Sequence, residues 1–153
     1  MLRERFAAAL KEALKARDER RVSTLRLILA ALQDRDIAAR SNGGGDHGPI
    51  SDDEILEMLS KMVRQRQESI SMYEEAGRVE LAQQEADEIA IIKSFLPRPL
   101  TEAETEQAVE DAIDHIDACC AKDIARTIAA LKQNYPGRMD FAKASSMVKR
   151  RLC

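Results

Sequence analysis

Residues 94–104, SFLPRPLTEAE, interrupt a chain that otherwise has the pattern of consecutive helices. Pro97 and Pro99 lack the backbone N–H that a continuing α-helix requires, and each restricts the residue before it to extended conformations. Thr101 follows at once and stands three residues before Glu104, which is the spacing of a capping box at the start of a helix. The stretch therefore predicts two helical modules joined by a stiff, proline-rich elbow.

Upstream of the prolines, apolar side chains recur every three or four residues and predict four helices. They are expected at residues 2–16, from 18 or 20 to about 40, at 52–76 and at 78–95. Gly77 separates the last two, and Ser51 with Glu54 forms a second predicted capping box. Residues 41–50, SNGGGDHGPI, predict a loop. It lacks the Gly-Lys-Ser/Thr ending and the preceding strand of a phosphate-binding loop, so we interpret it as a flexible linker.

Downstream of the prolines, three shorter helices are predicted. They are expected at residues 102–118, at 122–134 and from the capping residue Asp140 to the end of the chain. No segment shows the alternation of a β-strand. The predicted fold class is all-α, with an N-terminal helical bundle at residues 1–96 and a small three-helix module at residues 97–153.

Composition excludes several classes of protein. The chain has 153 residues, a third of them charged, and no apolar run approaches the roughly 18 residues that a membrane-spanning helix needs. Residues 1–21 carry charges throughout and do not have the apolar core of a secretory signal. We therefore expect a cytoplasmic protein with no membrane partner.

The cysteines do not form a disulfide framework, because Cys119, Cys120 and Cys153 are odd in number and two of them are adjacent. His115 lies four residues before Cys119, so both share one helix face and leave open a metal-binding or Cys–His catalytic hypothesis. A metal site normally needs three or four ligands, and the only other histidine, His47, lies in the glycine-rich loop. We expect reduced thiols, no metal, no cofactor and no catalytic residue.

Charge is unevenly distributed along the chain. The net charge is +4 over residues 1–40, −13 over residues 41–117 and +6 over residues 118–153. A basic segment on an acidic chain predicts an anion-binding surface, and with so few aromatic residues it suits the phosphates of a folded RNA better than base stacking. The candidate RNA-binding residues are Arg126, Lys132, Arg138, Lys143, Lys149 and Arg150. An alternative stays open, in which the acidic middle segment makes the chain a protein–protein adaptor for a basic partner.

Three stretches together resemble the GatB/YqeY-like family: STLRLILAAL (residues 23–32), YEEAGRVELAQQEADEIAIIKSFLP (residues 73–97) and LTEAE (residues 100–104). The resemblance also includes SDDEILEMLSKMVRQRQESI (residues 51–70) and the closing ASSMVKRRL (residues 144–152). The resemblance covers nearly the whole chain and implies two all-helical parts. This family is similar to the tail of the B subunit of the glutamine-dependent amidotransferase that acts on misacylated tRNA. In that enzyme the tail helps to hold the tRNA, and the chemistry occurs in other domains.

The resemblance therefore implies a non-catalytic accessory module that binds tRNA and is associated with translation. Its implied partners are tRNA and an aminoacyl-tRNA synthetase or an amidotransferase component. A carbon–nitrogen ligase label, with glutamine as amido-N-donor, would be inherited from the larger enzyme. The chain departs from the family pattern at Ala125-Arg126, where a Gly-Lys pair is frequent, and at Gly137-Arg138, where two glycines are usual. Basic character is kept at Arg126 and Arg138.

Overall fold

Helices account for most of the chain in the computed structural model, which describes residues 1–42 and 49–152. The helices are α1 (Leu2–Ala16), α2 (Glu19–Asn42), α3 (Asp52–Glu75), α4 (Val79–Lys93), α5 (Glu102–His115), α6 (Ile124–Asn134) and α7 (Phe141–Leu152), with a 3-10 turn at Ala121–Asp123. No strand occurs in the described ranges, so the predicted all-α class is confirmed. The predicted glycine-rich linker, including His47, lies mostly outside the described residues, as does Cys153.

The chain divides into two compact units, Met1–Leu96 and Pro97–Cys153, which we call the N-terminal and C-terminal units. Each has its own apolar cluster. None of the helices in the described part of the chain combines the length and the apolar character that crossing a bilayer requires.

The core of the N-terminal unit is built from one stripe of each of its four helices. The largest side chains that are fully buried there are Phe6, Leu25, Ile28, Ile55, Leu59 and Ile92. At the end of α4, the Phe95 ring packs edge-to-face on Phe6, with 4.9 Å between centroids. Such aromatic pairs contribute roughly 0.5–1.5 kcal/mol beyond the burial of their area.

Pro97 contributes to ending α4 at Lys93, four residues before the proline itself. An unbroken helix would bring the N–H of residue 97 to the carbonyl of Lys93, and proline has no N–H. The N–H of Leu96 donates to that carbonyl instead, at 3.0 Å, and the N–H of Phe95 donates to Ile92 at 3.1 Å. These tighter bonds end α4 at Lys93 and turn Phe95 into the core.

The C-terminal unit begins with the predicted cap. The N–H of Glu104 donates to Thr101 Oγ1 at 3.1 Å, and the N–H of Thr101 donates to Glu104 Oε1 at 3.3 Å, so both halves of the capping box are present. The core of this unit is smaller. It consists of Ala108, Val109, Ala112, Leu131, Met139, Ala144, Val148 and Leu152. At the other predicted capping box, Ser51 Oγ accepts from the N–H of Glu54 at 3.3 Å.

A polar clamp holds three elements of the N-terminal unit together. Arg3 on α1 makes two hydrogen bonds to Asp36 on α2, at 2.9 and 3.0 Å. The same guanidinium donates to the carbonyl of Ile50 at 2.9 Å, and the N–H of Ile50 donates to Asp36 Oδ1 at 3.0 Å. Arg3 and the N–H of Ile50 stabilise the carboxylate and hold the pKa of Asp36 below its usual value.

We expect Asp36→Asn to lower the free energy of unfolding at neutral pH by about 1–2 kcal/mol, because the charged acceptor of two Arg3 bonds is lost. A depressed carboxyl pKa stabilises the fold above the unfolded pKa of about 3.9, and that stability is lost as the pH falls through the folded pKa. The difference between wild type and variant should therefore shrink in acid. Urea unfolding followed by circular dichroism over a pH series measures it. Asp34→Asn, an exposed change on the same helix, is the control. An equal difference at neutral and strongly acidic pH would contradict the clamp.

Candidate nucleic-acid interface

Six basic residues predicted to contact RNA lie on α6, on α7 and in the turn between these two helices. Both helices are amphipathic. The buried stripe of α6 contains Thr127 and Leu131, and that of α7 contains Ala144, Val148 and Leu152. Five of the six basic residues are exposed and Arg138 is half-buried. Their roles differ, and the contacts of each decide which are available to a ligand.

Arg126 caps the preceding helix. Its Nη2 donates to the carbonyl of Ile116, the C-capping residue of α5, at 2.6 Å, and it lies 3.9 Å from Asp123 Oδ1. A cation at a helix C-terminus satisfies a carbonyl that has no partner within the helix and interacts favourably with the helix dipole. Arg126 therefore has a structural role in this turn.

Arg138 joins the turn before α7 to the proline segment. Its Nε donates to the carbonyl of Arg98 at 3.1 Å, and its own carbonyl accepts from the N–H of Leu100 at 2.7 Å. The two bonds fasten residues 98–100 within the C-terminal unit. Lys132 is exposed, with its ammonium 5.8 Å from the centre of the Phe141 ring, within the range of a cation–π contact.

The cations of α7 face solvent. Within the described residues, Lys143, Lys149 and Arg150 form no ion pair, whereas the neighbouring Arg151 pairs with Glu110 on α5. Lys143 and Arg150 are seven residues apart and so share one stripe of the helix. Lys149 lies about 100° away around the helix axis, on the other side of the exposed surface. The structure thus divides the predicted set into two turn-stabilising arginines, one lysine on an aromatic ring and three solvent-facing cations.

The acidic residues of α4 include a pair that sequence patterns did not single out as buried. Glu88 is 8% exposed, and its Oε2 accepts from Arg66 Nε on α3 at 3.0 Å. Glu85 Oε2 lies 4.0 Å from the same nitrogen, so Glu85 also contributes to the contact between α3 and α4. Burial raises the pKa of Glu85, and the charge of Glu88 raises it further against the opposing charge of Arg66. Arg78, at the N-terminus of α4, makes no side-chain hydrogen bond or ion pair to the described residues.

A signal for this ion pair is present in the sequence. Glu85, Glu88 and Ile92 follow one another at positions i, i+3 and i+7, so the carboxylates lie in line with an apolar stripe. Arg66 likewise lies four residues from both Met62 and Ile70. Opposite charges embedded in two apolar stripes indicate a buried pair, although the pattern does not say which helices meet.

An open groove of about 750 Å³ lies in the N-terminal unit between the α1–α2 corner and α4. Its apolar lining includes Leu14 and Leu27, both about half exposed. Glu88 contributes to the wall, but Arg66 neutralises its carboxylate. The groove therefore offers a mainly apolar surface, with the charged residues Arg17, Glu19 and Arg26 also in its lining.

The neighbours of Cys119 in the structure differ from those of the Cys–His hypothesis. The ligand-bearing atoms of Cys119, Cys120 and Asp123 lie within 4.8 Å of one another, in the turn between α5 and α6, and His115 is not part of this cluster. These are the residues in the described part of the chain that could hold a metal ion.

The fold and the basic helix define a class: an all-α protein of two helical units with solvent-facing cations on its last helix. A family model described as Yqey-like protein matches residues 3–152, so the chain belongs to the YqeY-like family. The resemblance predicted from the sequence is confirmed.

Curated relatives are found among proteins named "Altered inheritance of mitochondria protein 41, mitochondrial". The protein from Eremothecium gossypii is 32% identical over 107 residues, which are 69% of this chain and 55% of the relative. The protein from Lachancea thermotolerans is 29% identical over 127 residues, or 83% of this chain and 58% of the relative. One from Saccharomyces cerevisiae is 28% identical over 107 residues, with coverages of 69% and 55%. The matched region is thus little more than half the length of each relative.

These names contradict the predicted cytoplasmic location, because all three relatives are named as mitochondrial proteins. The prediction rested on the missing apolar signal in residues 1–21. That signal directs secretion, whereas import into mitochondria uses amphipathic, arginine-rich segments, so its absence does not favour the cytoplasm.

Arg138 can be tested for a structural role against a role in RNA binding. Arg138→Ala should lower the free energy of unfolding by about 1 kcal/mol, because a hydrogen bond from a charged donor is lost at a half-exposed position. Lys143→Ala should change it by less than about 0.5 kcal/mol. Urea unfolding of the full chain measures both. If Arg138→Ala unfolds like the wild type and weakens RNA binding instead, the arginine is a ligand contact and not a fastening of the turn.

Proposed function

We propose that this chain is a non-catalytic accessory module of translation whose C-terminal unit binds tRNA through phosphate contacts. The observation that carries the proposal is the exposed basic surface of α7, formed by Lys143, Lys149 and Arg150, which have no ion pair among the described residues and lie within a segment of net charge +6. Membership of the YqeY-like family supports it. An aminoacyl-tRNA synthetase or an amidotransferase component is the proposed protein partner.

Lysine and arginine on an exposed helix suit phosphate contacts, because their long side chains reach out and exchange water and counterions for phosphate oxygens at little structural cost. The C-terminal unit offers only Tyr135 and Phe141 as aromatic residues, both half-buried in its core. Base stacking is therefore a poor fit, and recognition of the shape and backbone of a folded RNA is favoured. Arg126, Arg138 and Arg151 already bind other residues of this chain. Their proposed contribution is mainly to the positive electrostatic potential around α7.

The proposal that the chain is non-catalytic rests on the ion pairs that the carboxylates of α4 make with Arg66. Arg66 engages both Glu85 and Glu88, and a carboxylate held by an arginine is poorly placed to accept a proton from a substrate. The carbon–nitrogen ligase label of the larger amidotransferase is therefore not proposed as an activity of this chain.

The test is binding of the purified chain to total tRNA over a series of salt concentrations. Log affinity should fall linearly with log salt, and Lys143→Gln/Arg150→Gln should reduce the slope by about 2, or about 1 for each lost phosphate contact. Gln keeps the helix propensity, so the fold should be unaffected.

Lys11→Gln/Lys15→Gln on α1 is the matched control. It removes the same charge from exposed positions of a helix in the other unit, and each pair has one member in its last helical turn. This variant should bind like the wild type. An equal loss of tRNA affinity in both variants would show that binding depends only on the net charge of the chain and not on an interface on α7. No binding at low salt would refute tRNA binding by this chain.

A second candidate function, a protein adaptor, is favoured by one surface of the N-terminal unit. Met72 and Val79, at the corner between α3 and α4, are 69% and 71% exposed. Their neighbours in the sequence include the acidic residues Glu74, Glu75 and Glu80 and one cation, Arg78. An apolar centre with an acidic rim suits a basic protein partner. Capture of a partner that survives nuclease treatment and is lost in Val79→Ser would support this function over tRNA binding.

A further inference from the structure

The turn between α5 and α6 brings together three potential metal ligands. Cys119 Sγ and Cys120 Sγ are 3.8 Å apart. Asp123 Oδ2 lies 3.7 Å from the first sulfur and 3.8 Å from the second. The three atoms form a nearly equilateral triangle on a half-exposed surface. Neither the proposed function nor family membership assigns a role to it.

The size of this triangle matches one face of a tetrahedral metal site. With Zn–S bonds of about 2.3 Å and a Zn–O bond of about 2.0 Å, tetrahedral ligands are separated by roughly 3.8 Å between sulfurs and about 3.5 Å between sulfur and oxygen. The observed separations lie within about 0.3 Å of these values. Because Cys119 is exposed, the fourth corner is open to water. Three protein ligands with a water in the fourth position are a common arrangement for zinc.

The backbone holds the ligands in place without help from an ion. Asp117 adopts a left-handed conformation, with φ 53°, just after α5, and Cys120 is extended. The 3-10 turn then carries Asp123 back toward Cys119, whose N–H donates to Asp123 Oδ2 at 3.1 Å. Arg126 approaches the other carboxylate oxygen, Oδ1, and leaves Oδ2 directed at the thiols. Such supporting contacts orient metal ligands in known sites.

The electrostatics of the cluster favour a cation. Two sulfurs and a carboxylate oxygen lie 3.7–3.8 Å from one another, so a thiolate formed there would face other electron-rich groups. A divalent ion reverses this balance, since its charge stabilises two thiolates and a carboxylate together. Thiolates select a soft or borderline ion, and the carboxylate favours zinc over monovalent copper.

We propose that Cys119, Cys120 and Asp123 bind a divalent cation of the zinc class, with water as the fourth ligand. Binding forms two metal–sulfur bonds and one metal–oxygen bond, and the two thiol protons are released to solvent. This revises the expectation of no metal, which rested on a search for histidine partners. The inference does not depend on tRNA binding.

The test is titration of the full chain, kept reduced, with Zn²⁺ by calorimetry and with Co²⁺ as a spectroscopic probe. We expect one ion per chain, release of about two protons in buffers of different ionisation enthalpy, and the sulfur-to-cobalt charge-transfer absorption of a tetrahedral thiolate site. Affinity should fall as the pH is lowered, because protons compete for the sulfurs.

The variants separate this site from other thiols. Cys119→Ser and Cys120→Ser should each weaken binding by more than the roughly 10- to 100-fold that loss of an outer-shell partner costs. Asp123→Asn keeps an oxygen for the N–H of Cys119, so it should fold normally and bind more weakly. Cys153→Ser, the control, should bind like the wild type. Circular dichroism of the metal-free variants checks the fold. Wild-type affinity in both Cys119→Ser and Cys120→Ser, or a cobalt complex without sulfur absorption, would overturn the proposal.

Discussion

The ion pair between Arg3 and Asp36 is the contact on which the arrangement of the N-terminal unit depends. Apolar burial supplies most of the driving force for packing, but it is non-directional and leaves neighbouring helices free to slide. A bidentate guanidinium–carboxylate pair is directional. Because Ile50 both accepts from Arg3 and donates to Asp36, the pair also fixes the residue that leads into α3. The Arg66–Glu88 pair joins α4 to α3 through one hydrogen bond, from Arg66 Nε to Glu88 Oε2. Two polar contacts thus define the register of a core made of aliphatic side chains.

Much of this fold could be predicted from local chemistry. The bounds of α1 follow from apolar spacing, and those of α4 follow to within two residues once Gly77 and Pro97 are recognised. The end of α5 was predicted three residues too late. Its stop is a reverse turn with Asp117 in the left-handed position usually taken by glycine, closed by the N–H of Ala118 on the carbonyl of Ile113. Aspartate is one of the few residue types besides glycine that adopt this conformation, but a chain with many aspartates does not show which of them does so. The Arg126 bond to the carbonyl of Ile116, at the same turn, comes from a residue further along the chain.

The candidate site was less predictable, because a basic side chain has the same appearance in sequence whether it binds a ligand or a backbone carbonyl. Arg126 and Arg138 are both used inside the C-terminal unit, each on a carbonyl in a turn. A unit of this size has a small core and gains relatively more from satisfied helix ends. Charge alone therefore does not show which cations also bind a carbonyl of their own unit. Lys143, Lys149 and Arg150 remain exposed because α7 buries only the stripe of Ala144, Val148 and Leu152.

The contacts that stabilise the α5–α6 turn also bring the two thiols and Asp123 together. The α5–α6 turn contains Asp117 in the left-handed conformation, the Arg126 cap on a carbonyl and the start of α6. Asp123 makes two contacts there through different oxygens: Oδ2 accepts from the N–H of Cys119, and Oδ1 lies near Arg126. An ion on Oδ2 would leave the Arg126 contact on Oδ1 intact, so metal binding and turn formation reinforce each other. A ligand that binds only the folded turn stabilises it by mass action. In a unit whose core is small, a cation at this turn would act on the element that apolar packing supports least.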